Sequence, residues 1–233
     1  MDINIYTKGL SVDLLPKIKK RFADFNMDIE FHPDFKFDEQ TDTGFLSLKL
    51  KVHNGHSKHY DDFGSDVLTG FELLFSDFDY GQELKNSQPQ KTTTEKKSFI
   101  SKLFGTNNSA TQQQTFIADQ QLDKLLKLCN KDLMLSWIAR DKSELRISLF
   151  FAAILADLTD GVVFDPQNGR YLSGQQALKT FPLEVADYEQ SFTTDKFTLD
   201  KFVEWRWQKE KHMQVTLYLR QAGLTRNPTF SYL

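Results

Sequence analysis

The feature that most constrains the fold is a predicted helix over residues 143–158 that is apolar on nearly every side. A helix of this kind has to be covered by other elements on more than one face. Its longest apolar run, residues 147–156, is well short of the roughly 20 residues that a membrane-spanning helix needs. We therefore expect this helix to lie in the core of a water-soluble protein that does not associate with membranes.

The first 85 residues alternate in a way that predicts a small antiparallel sheet. Within residues 45–52 the apolar and polar side chains alternate strictly, which is typical of a strand with one buried face. Runs of strands with one helix between them suit an α+β fold, with a helix on one face of the sheet. The other predicted elements of this part are a strand at 3–7, a helix at about 14–25 capped by Asp13, and strands at 28–35 and 69–80.

A polar segment, residues 86–115, follows this sheet and is dominated by Gln, Thr, Ser, Asn and Lys. Such a composition cannot bury enough apolar surface to offset the entropy of ordering, so we predict a flexible linker that proteases cut first. The predicted organisation is an N-terminal sheet-and-helix unit at 1–85, this linker, and a C-terminal mixed helix/strand unit at 116–233. Whether the two units pack as one body stays open.

The C-terminal unit is predicted to mix helices and strands around the apolar helix. Ser173 is a favourable N-cap for a helix that begins there. The helices are expected at 118–130, 143–158, 173–180 and 200–209, and the strands at 133–139, 162–164 and 214–220.

Composition excludes few classes of function but sets some limits. The chain has 233 residues with a formal net charge of −3, so nothing global favours binding to nucleic acid or to a membrane surface. The 21 phenylalanines supply ample area for a core. The single cysteine, Cys129, cannot form an intrachain disulfide, and the N-terminus lacks the pattern of a signal peptide; both favour a cytoplasmic protein. Because Cys129 shares a helical face with leucines, we expect it to be buried and structural.

One group of histidines has a spacing that could suit a metal. His53, His56 and His59 could converge on zinc, which accepts imidazole nitrogens in a tetrahedral shell. The intervening Asn54-Gly55 is a strong turn signal, and the sequence offers no obvious fourth ligand. We therefore interpret the group as a polar surface turn and predict neither a metal site nor a cofactor.

No motif identifies a catalytic centre. Asp165 follows a short predicted strand, where a carboxylate could work in catalysis, but it also begins a DPQNG turn whose backbone N–H groups it could bind. Trp205 and Trp207 are expected to anchor the last helix rather than to stack a ligand. The chain lacks nucleophile-elbow, dinucleotide-binding and P-loop motifs. We assign no catalytic residue and favour a protein that is not an enzyme.

The most informative local feature is a run of acids. Residues 60–83 contain seven Asp and Glu but no Lys or Arg. The run could be a solvated face, or it could dock a basic partner, with interleaved aromatic residues holding it in place. We predict the second, with partner-binding residues Asp61, Asp62, Asp66, Asp77, Asp79 and Glu83.

Residues 143–178, SELRISLFFAAILADLTDGVVFDPQNGRYLSGQQAL, resemble a segment of uncharacterised bacterial proteins. Some of those resemble immunity proteins encoded beside toxins of contact-dependent inhibition or related systems. The resemblance implies a cytoplasmic binding protein whose partner is a cognate toxin, and it implies no cofactor and no catalytic residue. With the acidic run, it leads us to expect that the chain covers the active site of a basic, nuclease-like toxin. The alternatives are a small hydrolase-like enzyme using Asp165 and the 53–62 loop, or a self-associating structural protein.

Overall fold

A computed structural model describes residues 1–35, 44–53, 55–87, 116–138 and 142–205. Seven strands in these ranges form one sheet in which every neighbouring pair is antiparallel. The strands are β1 (Asp2–Thr7), β2 (Met27–Phe31), β3 (Gly44–Val52), β4 (Val67–Asp77), β5 (Lys131–Ser136), β6 (Val162–Asp165) and β7 (Arg170–Ser173). Their order across the sheet is β2-β3-β4-β5-β1-β6-β7.

The helices lie on both faces of this sheet, so the protein has the α+β class that the sequence predicts. The described α-helices are α1 (Leu14–Ala23), α2 (Lys58–Phe63), α3 (Tyr80–Ser87), α4 (Gln120–Leu126), α5 (Lys142–Leu158) and α6 (Gly174–Gln190). We call the side that carries α1, α5 and α6 the front face, and the side that carries α3 and α4 the back face. Within the described ranges, none of the helices is both long and apolar enough to span a membrane.

The N-terminal strand joins the two halves of the chain. β1 lies between β5 and β6, so strands from residues 1–85 and 116–233 belong to one continuous sheet. Ile3 and Ile5 on β1 are almost fully buried, because strands flank them on both sides and helix α5 covers them. The predicted division into two units therefore does not correspond to two separate sheets. Most of the predicted linker, residues 88–115, lies outside the described residues, and its flexibility stays a prediction.

Helix α5 occupies the centre of the front face, as its apolar sequence predicts. It packs against β4 and β1 and lies between α1 and α6. Phe151 is fully buried on it, with its ring 5.0 Å from the ring of Phe71 on β4. Gly174 lets α6 approach closely, because a β-carbon at this position would overlap the backbone of α5 at Asp157. Each buried aromatic side chain of this kind contributes about 2 kcal/mol of transfer free energy.

A smaller apolar cluster lies under α3 and α4 on the back face. It contains Cys129, which is 5% exposed, so the prediction of a buried cysteine is confirmed. Burial is the main cause that raises the pKa of this thiol to about 11, which keeps it protonated at neutral pH. The buried members of the cluster are Tyr6, Phe78, Ile117, Leu122, Leu126, Cys129 and Val162.

Two helix N-termini test the capping predictions. Ser173 caps α6 as predicted: its hydroxyl accepts from the Gln176 N–H, and the Gln176 side chain accepts from the Ser173 N–H. The prediction for Asp13 is wrong, because its backbone is already helical and its side chain makes no cap hydrogen bond. An N-cap residue needs an extended backbone, which this turn does not provide.

Other element boundaries differ from the prediction. The predicted strand at 69–80 ends at Asp77, and Tyr80 begins α3. Helix α2 and strand β7 were not predicted. Both are short and are held by neighbouring elements rather than by their own periodicity: α2 by contacts to α6, and β7 by pairing with β6.

The predicted helix at 200–209 is wrong over its described part, residues 200–205. The N–H of Leu68 donates to the carbonyl of Asp200 at 2.7 Å, and the N–H of Phe202 donates to the carbonyl of Asp66 at 2.8 Å. This segment runs beside the start of β4, where β5 does not reach, and satisfies backbone groups that would otherwise lie on an open edge. Trp207 and the predicted strand at 214–220 lie outside the described residues.

Candidate functional site

The structure does not bring the six predicted partner-binding acids together. β4 separates them, and its ten residue steps correspond to roughly 33 Å. Asp61, Asp62 and Asp66 lie before its first residue, whereas Asp77, Asp79 and Glu83 lie at or beyond its last. The acidic run therefore forms two surfaces, one at each end of the strand.

The first surface is partly neutralised by its surroundings. The Asp61 carboxylate accepts from the N–H of Gly55 at 3.0 Å, so it fixes the turn between β3 and α2. Asp66 lies 3.2 Å from the ammonium group of Lys49. Asp62 is exposed. Two of the three carboxylates are thus already engaged within the chain.

The second surface presents carboxylates on a rigid support. Asp77 and Asp79 are exposed, and Phe78 between them is buried with its ring 4.6 Å from that of Tyr6. Asp79 accepts from the N–H of Gln82 at 3.0 Å and so orders the start of α3. The carboxylate of Asp77 lies 2.9 Å from the ammonium group of Lys131, yet the Asp77 side chain is still 88% exposed. Leu128, three residues before Lys131, is 60% exposed and places an apolar side chain in the same region.

The histidine group does not converge. His53 points to Asp28 on β2, with its Nε2 3.1 Å from a carboxylate oxygen. His59 points inward, stacks on Phe197 at 4.1 Å, and has its Nε2 2.9 Å from the carbonyl of Glu189. His56 is exposed. Across the part of the chain that the structure describes, no three His, Cys, Asp or Glu side chains are grouped as metal ligands.

Asp165 takes the turn role that its DPQNG context favours over a catalytic one. Its carboxylate accepts from the backbone N–H groups of Gln167 and Asn168 and lies 2.8 Å from Arg170. Arg170 also contacts Glu184 on α6 at 2.6 Å. The side chain of Asp165 is 5% exposed, and its contacts tie the β6–β7 hairpin to α6. The turn interpretation is confirmed.

The front face contains a buried ion pair between α5 and α6. Arg146 donates from Nε and Nη2 to the two carboxylate oxygens of Glu189, both at 2.7 Å. Ser57 donates to the same carboxylate at 2.8 Å, and the Tyr60 ring lies 5.1 Å from the guanidinium carbon. Burial disfavours the charged guanidinium, but the hydrogen bonds and charge of Glu189 outweigh it and raise the pKa of Arg146. We call these residues, with Met27, the Arg146 centre.

The back face contains a second polar group, which we call the Asp132 centre: Asn4, Tyr6, Asp132, Tyr171 and Glu83. The register pairs Tyr6 on β1 directly with Asp132 on β5, which brings their β-carbons within about 5 Å. Asn4, two residues before Tyr6, lies on the same face and donates from Nδ2 to both Asp132 oxygens, at 3.0 and 3.3 Å. We include Tyr171 on β7 and Glu83 on α3 because the charges of Asp132 and Glu83 raise the pKa values of the Tyr6 and Tyr171 hydroxyls.

The electrostatics of the Asp132 centre are unbalanced. Burial raises the pKa of Asp132 to about 6; the Asn4 hydrogen bond opposes this and the charge of Glu83 adds to it. Burial and then the charge of Asp132 raise the pKa of Tyr171 to about 12, and the same two causes raise the pKa of Tyr6 further. No Lys or Arg within the described ranges pairs with Asp132. This carboxyl is the most perturbed acid of the site and has only an amide partner.

A hydrogen-bond network fixes the elements that stand over the Asp132 centre. The hydroxyl of Tyr80 on α3 donates to Asp123 on α4 at 2.6 Å, and the Phe116 N–H donates to Asp123 at 2.8 Å. Lys127 closes the network at 2.8 Å from the other Asp123 oxygen. Burial of Asp123 would raise the pKa of its carboxyl, but Lys127, Tyr80 and the backbone donors lower it instead. Unlike the carboxylate of Asp132, that of Asp123 therefore has both a cationic partner and hydrogen-bond donors.

None of the residues that β1, β5 and β7 contribute to the Asp132 centre belongs to a motif of the sequence. Asn4 and Asp132 are 128 positions apart, and only strand pairing brings them together. The available signal is the alternation of residues 131–136, in which Asp132 lies on the face opposite the buried leucines. That pattern alone indicates a solvated side chain.

Comparisons with known proteins do not assign a family. No protein-family model matches the chain, and neither curated proteins nor solved structures give a match.

Proposed function

We propose that this chain is a binding protein of the immunity type, which neutralises a basic toxin by covering the active site of that toxin. The observation that carries the proposal is the support of Asp77 and Asp79. Both carboxylates are exposed, while Phe78 between them is anchored in the back-face cluster. Because the strand and the buried Phe78 already fix the backbone here, binding through this surface costs less entropy than ordering a loop would.

The composition of this surface suits a protein partner. Its carboxylates attract a basic partner over a distance and raise the association rate at low salt. Leu128 and Val12, which are 60% and 56% exposed, offer apolar anchors. Both lie in loops at the end of the sheet where Asp77 lies, because β1 ends and β5 begins there. A few buried anchors inside a charged rim are the usual energetic plan of a tight interface.

The separation of the two acidic surfaces supplies a matched control. One variant carries Asp77→Lys and Asp79→Lys, and the other carries Asp61→Lys and Asp62→Lys, so both change the net charge by +4. Binding of each to the toxin encoded beside the gene is measured over a range of salt concentrations. We expect the first variant to associate at least tenfold more slowly at low salt, and the second to bind nearly as the parent does.

The salt dependence separates a specific surface from overall charge. If both variants lose affinity equally, net charge rather than the Asp77 surface governs binding, and the location is wrong. If neither changes the association rate, the acids are a solvated face. If the unmodified chain neither binds nor inhibits the neighbouring toxin, the proposed function is wrong.

A further inference from the structure

Strand β2 leaves one edge of the sheet open. It is the first strand in the order of the sheet, and within the described ranges it pairs with β3 alone. The open edge of a sheet presents a row of backbone N–H and C=O groups with which an extended chain can pair. The outer edge of β2 is therefore a candidate surface for the addition of a strand from another molecule.

The hydrogen bonds at the two ends of β2 show which backbone groups face outward. The carbonyl of Asn26 accepts from the β3 side, and the N–H of His32 donates to that side. Because hydrogen-bonded pairs alternate along an antiparallel ladder, Asp28 and Glu30 also direct their backbone groups to β3. The residues between them point their N–H and C=O groups away from the sheet, and in the described part of the chain these groups have no backbone partner. These residues are Met27, Ile29 and Phe31.

Acidic side chains flank this edge on the back face. Asp28 and Glu30 alternate with the buried residues of β2. Each has a cationic neighbour on the β3 side, because His53 lies 3.1 Å from Asp28 and Lys49 lies 3.0 Å from Glu30. The two acidic side chains nevertheless remain 58% and 57% exposed, so their carboxylates can accept a second cation from the outer side.

This charge pattern disfavours a second copy of the chain as the occupant of the edge. If β2 paired antiparallel with β2 of another molecule about Ile29, Asp28 of one molecule would lie opposite Glu30 of the other. Like charges directly opposite each other in a sheet are destabilising. A strand with basic side chains would instead continue the alternation of charge from β3 through β2 to the added strand.

We propose that the outer edge of β2 binds an extended basic segment of a partner protein by antiparallel strand addition. The backbone of the segment pairs with Met27, Ile29 and Phe31. Two Lys or Arg residues of the segment, separated by one residue, lie opposite Asp28 and Glu30. These are the non-hydrogen-bonded positions of the new pair, where side chains approach most closely. Main-chain hydrogen bonds supply affinity, and the alternate side chains supply the preference for a basic sequence.

This edge is distinct from the surface of Asp77 and Asp79. Strand β3 lies between β2 and β4, and Asp77 lies beyond Leu73, the last residue of β4 that pairs with β3. A partner can occupy the edge whether or not the Asp77 surface binds a toxin, so the two proposals can fail separately.

The test uses a short peptide with blocked ends and the full chain. The peptide has two lysines separated by one valine, with valine and threonine at its other positions. Binding is followed by NMR titration and by backbone hydrogen exchange. We expect the N–H groups of Met27, Ile29 and Phe31 to become about tenfold or more better protected on binding. The N–H groups of Asp28 and Glu30 should change little, because they already bond to β3.

Two methylated peptides separate strand addition from charge attraction. A methyl group on the nitrogen of the central valine removes the N–H that faces Ile29, and we expect it to weaken binding by about tenfold or more. A methyl group on the nitrogen of one lysine removes an N–H that faces away from β2. The second peptide should therefore bind nearly as the unmethylated peptide does.

Charge reversal on the chain locates the contact. A variant with Asp28→Lys and Glu30→Lys should bind the lysine peptide about tenfold or more weakly, and it should prefer a peptide with glutamates in place of the lysines. That exchange of preference shows that the edge is intact, and the melting temperature checks the fold. The matched control carries Asp77→Lys and Asp79→Lys, which make the same change of net charge elsewhere, and it should bind the lysine peptide as the parent does.

Several results would overturn the inference. The lysine peptide must bind, and it must protect N–H groups on the outer side of β2. The proposal is also wrong if the glutamate peptide binds the parent equally well, if the two methylated peptides bind equally, or if both charge-reversed variants lose affinity to the same extent. None of these outcomes depends on the toxin-binding test.

Discussion

The Arg146 centre and the Asp132 centre lie on opposite faces of one sheet. They differ in how far the charge of the carboxylate is compensated by neighbouring groups. On the front face, Arg146 and Glu189 satisfy each other through two hydrogen bonds of 2.7 Å, and Ser57 adds a third donor. On the back face, Asp132 has only the Asn4 amide, and burial raises the pKa of its carboxyl to about 6.

The difference separates a charge that is compensated within the fold from one that is not. A matched buried pair has no remaining demand for a partner, and it ties α2, α5 and α6 together. An unmatched buried carboxyl destabilises the folded state unless a proton or a ligand compensates it. Functional groups are therefore better sought where the charge of the site is incomplete than where polar residues are most numerous.

The largest expected effect comes from breaking the matched pair. Arg146→Met leaves Glu189 buried without its cation, and we expect the free energy of unfolding to fall by about 3–5 kcal/mol in urea denaturation. Adding Glu189→Leu to this variant should recover most of the loss, because no uncompensated charge then remains. A double variant as unstable as the single one would show that packing, rather than charge, dominates this centre.

The next effect has the opposite sign. Asp132→Asn removes an unmatched acid, so the variant should be more stable at pH 7, by as much as about 3 kcal/mol for a pKa about two units above the ordinary value. In the parent, the folded state binds more protons than the unfolded state between about pH 4 and 6. Parent stability therefore falls as the pH rises through this window. The gain of the variant should vanish near pH 4, and a gain independent of pH would contradict the assignment.

A smaller effect tests a group that belongs to neither centre. Ser173→Ala removes the hydroxyl that caps α6 and should lower the free energy of unfolding by about 1 kcal/mol. This loss and the gain expected for Asp132→Asn should be additive, since the two residues do not contact each other. Non-additivity in thermal or urea unfolding would indicate that the β6–β7 hairpin transmits strain to the Asp132 centre.

The smallest effect is expected at the exposed surface. Asp77→Lys breaks a pair with Lys131 that is open to solvent, so the free energy of unfolding should change by less than about 0.5 kcal/mol. A change comparable to that of Arg146→Met would mean that Asp77 supports the fold, and its charge reversal would then be unsuitable for testing partner binding.

The sequence by itself determined those elements whose patterns are local. The alternation in β3, the capping by Ser173 and the all-round apolar surface of α5 each follow from neighbouring residues, and each is confirmed. The turn role of Asp165 follows from the same kind of short-range pattern. In these cases the periodicity or a single hydrogen bond specifies the structure. Cys129 is buried as predicted, but not through the predicted helix over residues 118–130, because α4 ends at Leu126 and the cysteine lies beyond it.

Only the tertiary structure decided which residues meet. Strand β1 pairs with strands more than 120 residues away, which joins the predicted units into one sheet and creates the Asn4–Asp132 contact. The 11-residue length of β4 splits the acidic run into two surfaces. The segment 200–205 is extended rather than helical, because an open edge of β4 satisfies its backbone. Pairing of strands distant in sequence satisfies hydrogen bonds and buries side chains that no local pattern encodes.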